Sequence, residues 1–434
     1  MKTSLIAGIV VIVIIIAAAA GFMLYHPSST SSTTSSPSTV SVSSTTSSST
    51  SISISSTSTS TMVTNTTPTP VPSQTQKFSI DGLFSPSNAT QATGVSNYQV
   101  VSYVEVQNLN TLMTNLMKSG SSGMGFQPST SNYLAQFKYF LNYSSPMYIE
   151  VLAHNSSSYV TVIAFNYNTS GKGVYVAQAI STVLGLYLNH SSTGSYNGLQ
   201  YVYGVYEHNG STSLPRNMTA SYNVTIGVAY GYTHNGRAFA VITYGLPNDS
   251  SSAFNTLKIV SMRASGQIPS PPMDLVNTVF PRIEYGYINT SFLEDMVNNT
   301  YLNQTFSKDN IHFNSSLLTS LKYVNVTSVS EGVYAQFTSP KSFNMVALVL
   351  ENTTNGTELT HLLDVMSQNT GNATVYFNGT KDGARMLVLF YPHLNVTEAT
   401  AVYGNYEIMA VYYSKVDQGA YLISLLEDEI SLIS

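Results

Sequence analysis

The sequence predicts an α+β fold: two similar repeats of mostly antiparallel sheet with helices on one face, following an N-terminal transmembrane helix and a disordered stalk. Three observations predict it. One order of strand-like and helix-like segments occurs twice along the chain. Each occurrence ends in a hairpin pattern with a tight-turn dipeptide, Asn235-Gly236 or Gly404-Asn405, followed by a helical stripe. The Pro-rich stretch Ile268-Pro-Ser-Pro-Pro272 falls between the two occurrences and reads as a linker. The resulting divisions are 1–26 anchor or signal peptide, 27–76 stalk, 77–266 first repeat, 267–281 linker and 282–434 second repeat.

Leu5 to Tyr25 is an unbroken apolar run. As a helix it is about 31 Å long, enough to span the hydrocarbon core of a bilayer. Lys2 ahead of the run places the short N-terminus inside and the remainder outside, giving a single-pass membrane protein with its C-terminal ectodomain in the exterior. The small residues Ala17 to Gly21 keep open the alternative of a cleaved signal peptide and a secreted protein. Both readings export the chain. From Ser28 to Thr61 all residues are Ser or Thr except Pro37, Val40, Val42, Ile52 and Ile54. Such a composition builds no core and reads as an extended, O-glycosylated stalk.

In the first repeat, Tyr98 to Val106 alternates as a strand, and Leu109, Leu112, Met113, Leu116 and Met117 form a helical stripe. Arg282 restarts the order, with Ile283 to Ile288 as strand and Ser291-Phe-Leu-Glu294 as a capping box. Next, Tyr148-Ile-Glu-Val151 answers Tyr334-Ala-Gln-Phe337, and Val160 to Phe165 answers Met345 to Leu350. Helical patterns follow at Val174 to Leu188 and Leu359 to Met366, then strands at Leu199 to Tyr206 and Met386 to Tyr391. The hairpins join Thr225–Tyr232 to Ala238–Tyr244, and Ala399–Tyr403 to Glu407–Tyr413. Final helices cover Ala253 to Met262 and Ala420 to Ile433. The first repeat is longer, and the extra residues are assigned to a loop at Gly210 to Asn217, where Gly, Ser and Pro cluster.

The Tyr103-Val-Glu-Val106 strand with its following helix, and the later hairpin plus helix, resemble the repeat of a poorly characterised family of prokaryotic envelope proteins of unknown function. That resemblance implies two such units behind one N-terminal anchor and supplies no catalytic residues.

Only 9% of the chain is charged, with 16 basic and 21 acidic residues and a net charge of −5, which argues against a nucleic-acid partner. Zero Cys excludes disulfides, thiolate metal sites and cysteine nucleophiles. From Gln76 onward there are nineteen Asn-x-Ser/Thr acceptors, where composition alone gives about seven. They include Asn88, Asn142, Asn155, Asn168, Asn189, Asn209, Asn217, Asn223, Asn248, Asn289, Asn314, Asn352, Asn355, Asn378 and Asn395. A heavily N-glycosylated ectodomain with acceptors in exposed loops is expected. Few charges, no Cys and abundant Tyr, Ser, Thr and Asn resemble the composition of surface glycoproteins of acid-living, heat-loving archaea.

Catalytic signals are sparse. None of the eight His lies three or four residues from another, so no metal pair is predicted, and isolated residues such as His154 read as turn residues. Gly120-Ser-Ser-Gly-Met-Gly125 has the wrong spacing for a nucleophile elbow, lacks the Lys of a phosphate loop, and reads as a flexible loop. Glu105 and Glu150 each share a strand face with a Tyr, at 103 and 148. The pair suits a glycosidase if spatially close, and otherwise reads as solvent-facing Glu beside an aromatic. The 31 Tyr, clustered at 201, 203 and 206, at 230 and 232, and at 403, 406, 412 and 413, read either as core and cross-strand packing or as a sugar-binding platform. No catalytic residue, cofactor or metal is assigned. The expected role is that of an anchored extracellular glycoprotein with a structural or interaction function, its partners being the membrane and a cell-surface protein or glycan. Two alternatives stand behind it: a ligand-capture protein using a cleft between the repeats, and a surface hydrolase with spatially assembled carboxylates.

Overall fold

The computed structural model describes residues 78, 80–108, 146–155, 158–170, 173–214, 218–272, 275–289, 329–338, 345–353, 356–368 and 370–434. The apolar run Leu5 to Tyr25, the stalk, the helix expected at Leu109 to Met117, the 120–125 loop and the capping box at Ser291 lie outside them. Among the described residues no helix is long and apolar enough to cross a membrane.

The fold is mostly β. The expectation of an α+β architecture with helices on one face is corrected: strand accounts for 48% of the described part of the chain against 26% helix, and the fourteen described strands belong to one antiparallel sheet. The first half contributes β1 (Gln99–Val106), β2 (Met147–Asn155), β3 (Ser158–Asn166), β4 (Asn189–Tyr196), β5 (Leu199–Leu214), β6 (Met218–Thr233) and β7 (Arg237–Tyr244). The second contributes β8 (Arg282–Ile288), β9 (Val329–Thr338), β10 (Met345–Thr353), β11 (Thr374–Lys381), β12 (Ala384–Tyr391), β13 (Val396–Tyr403) and β14 (Tyr406–Tyr413). Five helices are described: α1 (Pro86–Thr93), α2 (Gly173–Tyr187), α3 (Asp249–Arg263), α4 (Gly356–Gln368) and α5 (Gly419–Ile433).

Strand order runs β11-β12-β13-β14-β10-β9-β8-β1-β2-β3-β7-β6-β5-β4. Outward from the centre, the first half reads 1-2-3-7-6-5-4 and the second reads 8-9-10-14-13-12-11, the same topology. The halves meet through antiparallel pairing of β1 with β8, with Tyr103 opposite Tyr287 and Glu105 opposite Tyr285. A local two-fold therefore passes through the Val104–Gly286 pair.

Helices cover both faces because the central strands are apolar on both sides, as β3 (Ser-Tyr-Val-Thr-Val-Ile-Ala-Phe-Asn) shows, and each face must be removed from water. On the front face α3 inserts Leu257 and Val260 against Phe239, Val241 and Ala229. At the matching place α5 inserts Leu425, Leu426 and Ile430 against Ile408, Ala410 and Ala399. Each fully buried Leu contributes about 1.5–3 kcal/mol. On the back face α2 packs Ala177 against Val202 and Ile163, and α4 packs Leu359 and Leu363 against Leu387 and Val402. Ile80 and Val100 touch both front clusters and join them into one layer.

Three further expectations are revised. The extra length at Gly210 to Asn217 is hairpin: β5 and β6 have 16 residues each and pair as far as Leu214–Met218, whereas β12 and β13 have 8 each. Asn235-Gly236 is not a two-residue turn. The Gly236 N–H donates to the Thr233 carbonyl and only Gly236 takes positive φ, the geometry of a longer loop with a glycine bulge. Tyr148 and Glu150 correspond to Val333 and Ala335, one residue away from the expected match, because they pair with Ala164 and Val162 as Val333 and Ala335 pair with Leu350 and Leu348. A one-residue slip would put Tyr148 on the wrong face.

Candidate functional site

Seven glutamates are buried in this sheet and its helices: Glu105, Glu150, Glu284, Glu351, Glu398, Glu407 and Glu429. Each occupies a position at which the other half carries an uncharged residue. By ladder register and helix position, these counterparts are Tyr287, Ala335, Ser102, Phe165, Val228, Ala238 and Ile259 in the same order. The topology itself therefore needs no carboxyl at these places.

Two groups form. At the junction, the front face carries two adjacent rows over β2, β1 and β8: Tyr148–Glu105–Tyr285 and Glu150–Tyr103–Tyr287. The Tyr285 hydroxyl donates to Glu105 Oε2 at 2.6 Å and Gln107 Nε2 donates to Oε1 at 3.3 Å. Arg282 lies over the Tyr285 ring at 4.2 Å and donates through Nε to Gln107. Burial, and then the bond to Glu105, push the Tyr285 hydroxyl up to about 12. Tyr103 stacks on Tyr148 with ring centroids 6.4 Å apart, and its hydroxyl donates to the Pro269 carbonyl, so the linker is strapped across the centre of the front face. Glu150 is closed over by residues 82–84. Its Oε2 accepts the Phe84 N–H at 2.7 Å, and a Cβ on Gly82 would stand 2.0 Å from Oε1. Burial pushes Glu150 up to about 8 although the Phe84 N–H and Arg263 favour its charged form. On the back face, Tyr334 donates to Glu284 at 2.6 Å.

The second group lies on the back face of the second half. Glu351 of β10 and Glu407 of β14 are directly opposite, and Glu398 sits on β13 on the same side. Cβ atoms of directly opposite residues lie about 5 Å apart. Removal from water, followed by the charge of Glu407, raises Glu351; removal from water, followed by Glu398, raises Glu407. Two carboxyls so placed resist ionising together, so the pair holds a proton to higher pH than exposed carboxyls do. The equivalent pair in the first half, Phe165 opposite Ala238, packs into the apolar cluster under α2.

The expected residues are thus accounted for differently. Glu105 and Glu150 share a face but are buried, not solvent-facing, and each is engaged separately. Glu351 and Glu407 were missed; their only sequence signal is an acidic residue interrupting an apolar strand. Tyr201 and Tyr203 pack against Phe254 of α3 at 4.6 and 4.3 Å, while Tyr230 and Tyr232 enter the back core, so these clusters serve packing. His154 Nδ1 meets the Ser96 carbonyl at 2.7 Å, a loop contact. Among the described residues no cluster of three or more His, Asp or Glu is arranged to hold a metal.

Among the glycan acceptors, Asn155, Asn168, Asn189, Asn248, Asn378 and Asn395 are exposed, and Asn88 and Asn289 are half-buried. Asn352 is 4% exposed, so a glycan there is incompatible with the folded strand. Asn209 and Asn223 face each other in the β5–β6 ladder. Asn142, Asn217, Asn314 and Asn355 lie outside the described residues.

No family model matches the chain, and no curated protein or solved structure matches it.

Proposed function

We propose that the chain is an anchored extracellular glycoprotein with a structural or interaction role at a cell surface bathed in acid. The observation that carries this reading is the placement of the acceptors: seven of the ten whose exposure is described are exposed, at strand ends, in turns and on the outermost strands. The buried glutamates support the acidic setting, because a carboxyl held in apolar surroundings is neutral at low pH and adds no charge to the core. Ser/Thr composition supplies the stalk, and Leu5 to Tyr25 supplies the anchor. Chain isolated from its native host should sediment with membranes and exceed 46.9 kDa by many glycan masses. A mass within one glycan of that value defeats the reading.

The facing pair Glu351–Glu407 favours a second reading, a hydrolase using two carboxyls of unequal affinity for a proton. Glycoside hydrolysis at pH 3 to 6 that is abolished by Glu351→Gln and by Glu407→Gln would establish it. For ligand capture between the repeats, the relevant arrangement among the described residues is that β1 and β8 are hydrogen-bonded neighbours, so the two halves share one sheet.

A further inference from the structure

Among the described residues the sheet does not close: β4 and β11 are its two ends, and each pairs with a described strand on one side only. An open edge is a template for another strand, and in this chain the unit already pairs edge to edge with its own copy, β1 with β8. The outer edges are polar and exposed, but β11 also shows Val375 at 43% and Tyr376 at 46% exposure, a β-prone pair on a free edge.

Acceptors occur on both of these strands. Asn189 is the first residue of β4, and Asn378 is in the middle of β11. By contrast, the exposed acceptors elsewhere stand at the last residue of a strand, as Asn155 does, or outside strands, as Asn168, Asn248 and Asn395 do. Asn372, exposed in the turn leading into β11, is a third acceptor at the same end. Nδ2 of Asn189 donates to Glu207 at 3.0 Å, and the Asn378 carbonyl oxygen accepts from Arg385. A glycosylated amide keeps its oxygen and one N–H, so either bond is compatible with a sugar on the nitrogen.

We infer that N-glycans on Asn189, Asn372 and Asn378 guard the two open ends of the sheet against pairing with a second copy of this chain. An incoming strand must approach within about 4.8 Å of the edge strand. A sugar carried on that strand occupies part of this space and holds a hydrated volume beyond it, doing at these edges what an inward charge or a proline does elsewhere.

The inference rests on the glycoprotein reading, and the experiment separates the two. Full-length chain from a glycosylating host is mapped for occupancy, then compared by light scattering with Asn189→Gln/Asn372→Gln/Asn378→Gln and with Asn155→Gln/Asn168→Gln/Asn395→Gln. The edge variant should shift from monomer to dimers and larger species with rising concentration, and the control variant should not. Adding Val375→Lys to the edge variant should restore the monomer. A second route, Ser191→Ala/Thr374→Ala/Thr380→Ala, removes the same glycans while retaining each Asn and should behave like the edge variant. Association by both variants alike, or by neither, overturns the inference. Bare Asn189 and Asn378 with glycans elsewhere overturn it while leaving the glycoprotein reading standing; a chain without any glycan defeats both.

Discussion

Val104 of β1 lies directly opposite Gly286 of β8, and exchanging the two halves maps each of these residues onto the other. The two positions are equivalent but their side chains are not, because the strands approach too closely there for two. A Cβ on Gly286 would stand 2.3 Å from the Tyr103 carbonyl oxygen and 2.8 Å from Val104 Cα, both backbone atoms that cannot turn aside. Gly286→Val, which makes the pair symmetric, should destabilise the protein by about 2 kcal/mol or more. Hydrogen exchange should speed up first in β1 and β8, with β5 and β13 still protected. Equal loss of protection in every strand would contradict this local account.

Stability should rise as pH falls from neutral. Glu150 in the folded chain holds its proton up to about 8, against 4.5 for an exposed carboxyl, and Glu284, Glu351 and Glu407 are displaced in the same direction. Between those pH values the folded state binds more protons than the unfolded state. The stabilisation is complete below about pH 4.5 and is lost as pH climbs through the folded values, at about 1.4 kcal/mol per pH unit for each group. Urea midpoints at pH 4 and pH 7.5 measure it, and Glu150→Gln, whose amide oxygen can still accept the Phe84 N–H, should flatten the slope.

The first half supplies its own design for the facing carboxyls. Glu351→Phe with Glu407→Ala transplants the Phe165–Ala238 pair and should raise stability at pH 7.5 by about 1 kcal/mol or more, because it removes buried groups whose charged form is costly. At pH 4 the gain should shrink. Unfolding of the double variant at both pH values would show that β10 and β14 depend on the carboxyls.

Glycan mapping should find Asn352 bare and Asn155, Asn168 and Asn395 occupied in the same preparation. All four carry the same three-residue signal, and burial is what distinguishes them. An occupied Asn352 would require that β10 be glycosylated before it joins the sheet and remain out of it.

Much of this topology is legible from pattern, since the central strands are apolar and the hairpins carry turn dipeptides. What escapes is instructive. β4 reads Asn-His-Ser-Ser-Thr-Gly-Ser-Tyr, with no apolar alternation, because an end strand buries neither face and its sequence is free of that constraint. Its signal lies next door: Asn197-Gly198, and Asp382-Gly383 after β11, take positive φ at both residues, the type I′ geometry of the tightest hairpins. The one-residue error between β2 and β9 arises because strands apolar on both faces carry little parity information. The Glu351–Glu407 pair is invisible in sequence for a different reason. The residues are 56 positions apart, and only the register of β10 on β14 brings them face to face.

Pairing β1 with β8 inside one polypeptide changes the arithmetic of that contact. Between separate molecules, an edge-to-edge association weakens on dilution. With the partner strand tethered through residues 267–281, the local concentration it experiences is fixed by the length of the connection and not by the surroundings, of order millimolar for a short flexible tether. The central seam consequently closes as a first-order event and stays closed however sparse the protein becomes.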